Sequence, residues 1–264
     1  MKNHFNNKNK IFFKKNGYVI LENILTKKRI LEIKNKIYEI YKNEKKSKAL
    51  YNYKFDKSNR TKRIWNLTNK SKVFRNLIQN KEVNHFMEWI FNRKTNHQKY
   101  FLSSFQANIL QGGAKAQKLH IDTPVPEPLP SWPLKANSIW MLDDFNENNG
   151  ATEVLPGSHK FRFKPKKKDN RNKKIIKCIG SAGSVIITHG ALWHRAGSNN
   201  STKNRLALLG SFAASYVKEI ASEEDQSLII DNFTLKKSSR LLKKILGVGQ
   251  GIKKGALHLP RHRD

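Results

Sequence analysis

Residues 101–122 read FLSSFQANILQGGAKAQKLHID, and residues 183–212 read GSVIITHGALWHRAGSNNSTKNRLALLGSF. Both are short runs of aliphatic, β-branched and aromatic residues, broken by turn signals at Gly112-Gly113 and Gly197–Asn204. SIWMLDDF (138–145) and IIKCIG (175–180) have the same character. Several strands of this length and spacing indicate an antiparallel sandwich or barrel.

Upstream the pattern is helical. After Thr26, a suitable N-cap, Ile30, Ile33, Ile37 and Ile40 recur at spacings of three and four and define one helical face. Val73, Leu77, Val83, Phe86 and Ile90 predict a second helical stretch over Ser71–Phe91. Gly17–Leu25 is β-rich, and residues 44–63 read as a polar loop. Helices precede strands, so the expectation is a mainly β core with flanking helices. Residues 1–220 form the domain, and 221–264 a basic C-terminal extension. Within the extension SSRLLKKILGVG (238–249) suits a short amphipathic helix packed on the body, and KKGALHLPRHRD (253–264) a loose end.

The 264 residues suffice for one sizeable core. A hydrophobic fraction of 38% with 10% aromatics supports a folded chain. Cys178 is the one cysteine, which excludes an internal disulfide framework and suits a small buried side chain. The cationic opening MKNHFNNKNK lacks the apolar run of a signal peptide, and no stretch is apolar enough for a transmembrane segment. The expected location is cytoplasmic. The net charge of +32 is spread over runs near Lys8–Lys15, Lys27–Lys48, Lys164–Lys177 and Lys236–Lys254. Charge so dispersed reads as a solvated surface. The other reading is a polyanion-binding protein, with nucleic acid as partner, on a catalytically silent fold.

The chemistry starts at KLHID. In a strand, residues two apart face the same way, so His120 and Asp122 present an imidazole and a carboxylate side by side. They supply two ligands of a 2-His-1-carboxylate facial triad. His189 and His194 compete for the third place. His194 is favoured because Gly197–Asn204 reads as a hairpin turn that sets Arg205 opposite it. A guanidinium there can hold a dicarboxylate in a bidentate fork.

NSIWMLDDFNENNGATEVLPGSHK (137–160), with His120-x-Asp122 upstream and Trp193-His194 before Asn199, Ser201 and Arg205, resembles the signature region of the phytanoyl-CoA dioxygenase family. The resemblance spans roughly residues 11–217, the opening FFKKNGYVILENIL included. It implies a double-stranded β-helix, or jelly roll. It implies iron(II) held by His120, Asp122 and His194, 2-oxoglutarate gripped by Arg205 and contacted by Trp140, and O2 as co-reactant. Gln106, Asn108 and Gln117 are expected near the site. Asp143, Asp144 and the Pro156-Gly157-Ser158-His159 turn are expected to be structural. Relatives often carry a Ser two residues after the distal histidine; this chain has Ala196, and Ser198 is the nearest replacement. The substrate implied is a small or lipid-like molecule, and the charge admits an anionic one.

Overall fold

The computed structural model describes residues 3–46, 51–52, 58–91, 100–123, 125–217, 228 and 230–248. The chain opens with α1 (Asn7–Asn16), β1 (Tyr18–Leu21) and α2 (Lys27–Lys46). Then come β2 (Tyr51–Asn52), β3 (Thr61–Ile64), α3 (Leu67–Lys70), α4 (Lys72–Ile78) and α5 (Lys81–Phe91). The β region holds β4 (Tyr100–Leu110), β5 (Lys135–Met141), β6 (Thr152–Val154), β7 (Ile176–Lys177), β8 (Val185–His189), β9 (His194–Ala196) and β10 (Arg205–Ala214). The short helices α6 (Asn232–Lys236) and α7 (Arg240–Ile245) follow.

The strands form an antiparallel sheet of order β1-β8-β5-β10-β4-β3-β2 and a second of order β7-β6-β9. They are the two sheets of a double-stranded β-helix that does not close into a barrel. Strand parity gives the large sheet two different faces. On β4, Phe105, Ala107 and Ile109 turn to the helices, where they meet Phe74, Phe86 and Met87. The alternate residues Ser104, Gln106 and Asn108 turn inward and line a cavity. On β10 the same split puts Leu206 and Leu208 outward and Arg205, Ala207, Leu209 and Ser211 inward. Phe212 keeps the parity of Leu206 and Leu208 and faces the helices; opposite it the register slips by one residue at Ser103 of β4, which brings Leu102 and Tyr100 to the helix side.

Phe74, Phe86, Phe105, Phe212 and Trp140 are fully buried on that side. Rings bury about 150–250 Å² each, which makes this layer the main source of cohesion. A smaller apolar cluster fills the space between the sheets: Ile139 and Met141 from β5, Ile186 from β8, Val154 from β6, and Phe145.

The helices follow their capping residues. Thr26 Oγ1 accepts from Arg29 N at 3.3 Å at the start of α2, as its sequence position predicts. The stretch 71–91 is two helices rather than one. Ser71 Oγ caps α4, and Asn80 Oδ1 accepts from Val83 N at 3.2 Å to start α5. The buried positions of α4 (Phe74, Leu77, Ile78) and α5 (Val83, Phe86, Met87, Ile90) do not continue a single 3.6-residue phase, which marks the break between them. Part of the polar region 44–63 is β3, whose pairing with β4 puts Arg63 opposite Asn108. In the extension, Leu242, Ile245 and Leu246 join the helix-side core, and Ser239 Oγ donates to Gln79 Oε1 at 2.7 Å. The described part of 221–264 is thus docked on the body. Residues 253–264 lie outside the described residues.

Candidate metal centre

His120 and Asp122 lie in the long connection from β4 to β5. His120 and His194 exchange two main-chain hydrogen bonds, each of 3.0 Å. Asp122 is pinned by its own N–H, which donates to Gly190 O at 2.9 Å. Side-chain ligand atoms of His120, Asp122 and His194 then all fall within 4.8 Å of one another. Asp122 Oδ1 lies 3.8 Å from His120 Nε2, and Asp122 Oδ2 lies 3.2 Å from His194 Nε2.

The tautomers suit a metal. His120 Nδ1 is 2.9 Å from Lys118 O, and His194 Nδ1 is 2.9 Å from Leu192 O. A carbonyl only accepts, so each Nδ1 carries the proton and each Nε2 lone pair faces the centre. Asn137 Nδ2 donates to Asp122 Oδ2 at 2.6 Å and orients the carboxylate. Burial pushes the Asp122 carboxyl up, but His194, then His120 and Lys135, outweigh it and hold it well below the usual carboxylate range. Burial pulls His120 down to about 4, with the His194 charge adding to it. Burial also lowers His194, but Asp122 overcomes it and raises that imidazole above its ordinary value.

The triad opens on a cavity of about 270 Å³ between the sheets. Arg205 enters it from the start of β10, only 3% exposed, with its guanidinium 4.4 Å above the Phe145 ring. Burial brings it down to about 10, opposed by Asp143. Arg205 Nε, Gln106 Oε1 and Asn108 Oδ1 are buried without a hydrogen-bond partner among the described residues. All three belong to residues lining the same cavity. Buried polar atoms are normally satisfied, so three around one space fit a polar ligand that pairs with them. A facial set of two imidazoles and one carboxylate beside such a space fits a divalent iron with open positions.

Two expectations are corrected. Trp140 does not face the cavity. It has the opposite parity to Asn137 and Ile139 on β5, is 0% exposed in the helix-side core, and donates from Nε1 to Ser138 Oγ at 3.1 Å. It is therefore out of reach of a cosubstrate. Nor do His194 and Arg205 pair across a hairpin. β9 belongs to the small sheet and pairs with β6, whereas β10 pairs with β4 and β5. The segment between them crosses from one sheet to the other, held by Asn199 Nδ2, which donates to Leu110 O and Lys203 O. Arg205 still reaches the cavity, from the opposite wall.

Other expected residues fall as follows. Gln106, Asn108 and Gln117 all line the cavity, and Gln117 Oε1 accepts from Ala196 N at 2.9 Å. Ser198 Oγ does not replace the missing serine; it accepts from Ala116 N at 3.2 Å. His189 belongs to a second cavity with Phe13, Trp89 and His159, and its Nδ1 accepts from Ala191 N. Ser158 Oγ accepts from Trp193 N at 2.9 Å, a structural tie for the Pro-Gly-Ser turn. Asp143 holds Leu206 N and Lys34, and Asp144 holds Ala182 N. Cys178 is buried, and burial pushes its thiol up to about 12. Sequence reasoning missed Asn137 and Lys135. Their shared parity with Ile139 was the available signal.

A double-stranded β-helix carrying a 2-His-1-carboxylate cluster and a buried arginine defines a class of metal-dependent oxygenase scaffolds. A sequence model of the Phytanoyl-CoA dioxygenase (PhyH) family matches residues 13–207, and the chain belongs to that family. It is 29% identical over 206 residues to Dioxygenase FUM3 of Gibberella moniliformis, covering 71% of this chain and 63% of that protein. It is 32% identical over 123 residues to Dioxygenase af480 of Aspergillus fumigatus, covering 46% and 40%. The chain thus spans less than two thirds of the length of these curated relatives. HygX from Streptomyces hygroscopicus, solved with nickel, 2-oxoglutarate and hygromycin B, superposes with a TM-score of 0.64 at 15% identity, covering 81% of this chain and 90% of that one. EctD from S. alaskensis with bound Fe gives a TM-score of 0.64 at 17% identity, covering 80% and 77%. At these identities the likeness concerns the fold.

Proposed function

We propose that this chain is an iron(II)- and 2-oxoglutarate-dependent dioxygenase that hydroxylates a C–H bond of a small-molecule or lipid-like substrate. The observation that carries the reading is the convergence of His120, Asp122 and His194 within 4.8 Å beside the buried guanidinium of Arg205. Iron(II), with 2-oxoglutarate and O2, supplies the oxidant for the C–H bond and releases succinate and carbon dioxide.

The protein's part is placement. His120, Asp122 and His194 hold the metal through Nε2, a carboxylate oxygen and Nε2. Asn137 holds the carboxylate in register by donating to Asp122 Oδ2. Arg205 takes the far carboxylate of 2-oxoglutarate in a fork of parallel hydrogen bonds. Gln106 and Asn108 offer side-chain amides along the same wall. Arg205, Gln106 and Asn108 are buried, which strengthens their interactions with a polar ligand. Asp122 occupies the place that related halogenases give to a small residue, which favours hydroxylation over halogenation.

Anaerobic titration of the protein with iron(II) and 2-oxoglutarate tests the reading. A visible metal-to-ligand band that saturates with both is the expected result. Its absence, with the protein folded, overturns the assignment.

A further inference from the structure

The helix-facing side of the large sheet carries one polar residue where its pattern calls for an apolar one. Along β8, Val185 and Ile187 turn to the helix-side core, and Ile186 turns to the space between the sheets. His189 continues the parity of Val185 and Ile187 and pairs with Ala136, which also belongs to the helix-side core. A row that begins with two aliphatic side chains thus ends on an imidazole, 8% exposed. It lines a cavity of about 540 Å³ that shares no lining residue with the cavity of the metal centre.

The imidazole offers this cavity a donor. Ala191 N donates to His189 Nδ1 at 3.0 Å, so the ring proton sits on Nε2. That N–H has no acceptor among the described residues, although buried donors are normally paired. His159 is not its partner. The His159 Nε2 faces Lys14 O at 3.3 Å, and its Nδ1 edge packs against Gly17 so closely that a Cβ has no room there. Burial lowers His189 to about 3 and His159 to about 4, so both rings are neutral at neutral pH.

Phe13, Trp89, Ile90 and Pro133 give the cavity its apolar lining. Its charge comes from three cations. Lys14 lies over the Trp89 ring, 5.7 Å from its centre, and Arg162 Nε donates to Leu129 O. Lys160, beside His159 after the Pro-Gly-Ser turn, makes no side-chain hydrogen bond or ion pair among the described residues. No carboxylate is among the described residues that line this space.

We propose that this cavity is a second binding site, for a small apolar molecule bearing one carboxylate. The carboxylate accepts from His189 Nε2 and meets the Lys160 ammonium, and the apolar body lies along Phe13, Trp89, Ile90 and Pro133. A buried donor next to an unpaired cation suits an anion, because charge-assisted hydrogen bonds are the strong ones. The volume is within the range of about 300–1,000 Å³ usual for small-molecule sites. The site lies on the far face of the sheet from the metal centre and is independent of the dioxygenase reading.

The full chain, without metal, is titrated calorimetrically with naphthalene-1-acetate, and with naphthalene-1-acetamide as the uncharged control. The acid binds one-to-one with a Kd below about 1 mM, and the amide at least about tenfold more weakly. Lys160→Glu and His189→Phe each weaken binding of the acid at least about tenfold, the loss of one charge-assisted hydrogen bond. Ser131→Trp, a change at an exposed lining residue, abolishes it by filling the cavity. If circular dichroism shows His189→Phe unfolded, the other two variants decide. Equal binding of the amide, an affinity unaltered in Lys160→Glu or Ser131→Trp, or no saturable binding up to about 10 mM overturns the site. Binding that survives both variants places the acid elsewhere, the Arg205 cavity included, and overturns it equally.

Discussion

Asn137 Nδ2 lies 2.6 Å from Asp122 Oδ2 and donates to it, joining β5, an inner strand of the large sheet, to a loop residue of the metal centre. The contact is short because the acceptor is ionised. Removing the donor leaves the carboxylate free to rotate. Asn137→Ala is expected to lower iron(II) affinity by roughly 10–100-fold, the usual cost of losing a ligand's orienting partner. Calorimetric titration with iron(II) checks it, with far-UV circular dichroism to confirm the fold.

His120→Ala and Asp122→Ala each remove a ligand from the cluster. Succinate formation from 2-oxoglutarate is expected to vanish in both. Turnover persisting in either variant at a tenth or more of the wild-type rate would refute the triad.

Arg205 is buried over the Phe145 ring, and among the described residues lining the cavity Asp122 of the metal cluster is the only carboxylate. Arg205→Lys keeps the charge and loses the planar fork and the stacking, so it is not conservative here. The KM for 2-oxoglutarate is expected to rise at least about tenfold, and the KM for the oxidised substrate to change little. Steady-state kinetics with each varied in turn separates the two.

Trp140 tests the corrected placement. It fills the helix-side core and makes its polar contact with Ser138. Trp140→Ala is expected to cost about 3–5 kcal/mol of stability. The milder Trp140→Phe should leave the 2-oxoglutarate KM unaltered. Urea unfolding and cosubstrate kinetics on the two variants check both halves.

His189 is buried, and burial lowers its imidazole to about 3, with His159 adding to the effect. The folded state therefore binds fewer protons than the unfolded chain between about pH 6.5 and 3. Stability is full above that window and falls as pH falls through it, by up to about 1.4 kcal/mol per pH unit from this group. His189→Gln should flatten the slope of unfolding free energy against pH over that range, measured by denaturant unfolding at stepped pH.

Much of this arrangement was legible in the chain. Alternation along FLSSFQANIL separates Phe105, Ala107 and Ile109 from Gln106 and Asn108, and the structure sends the two sets to opposite faces. His120-x-Asp122 read as a paired presentation holds as well, although His120 sits in an isolated bridge rather than a continuous strand. What escaped was everything that depends on which sheet a strand joins. A turn-rich segment after His194 looks the same whether it closes a hairpin or crosses between layers. Its pairing partners decide that, and they lie at Leu110 and Val154, far away in sequence. Trp140 differs for another reason: its motif position implies contact with the cosubstrate, while its strand parity turns it to the helices. Applied to β5, parity would have excluded Trp140 and found Asn137 and Lys135.

The reciprocal main-chain bonds between His120 and His194 have a consequence for loading. In small zinc-binding domains the ion draws remote ligands together and the fold appears only with it. Here the backbone has already fastened both imidazoles to each other, so the ordering entropy of the ligand set is spent when the chain folds. The metal-free protein is therefore a ready chelator, and iron can leave and return without the sheets coming apart.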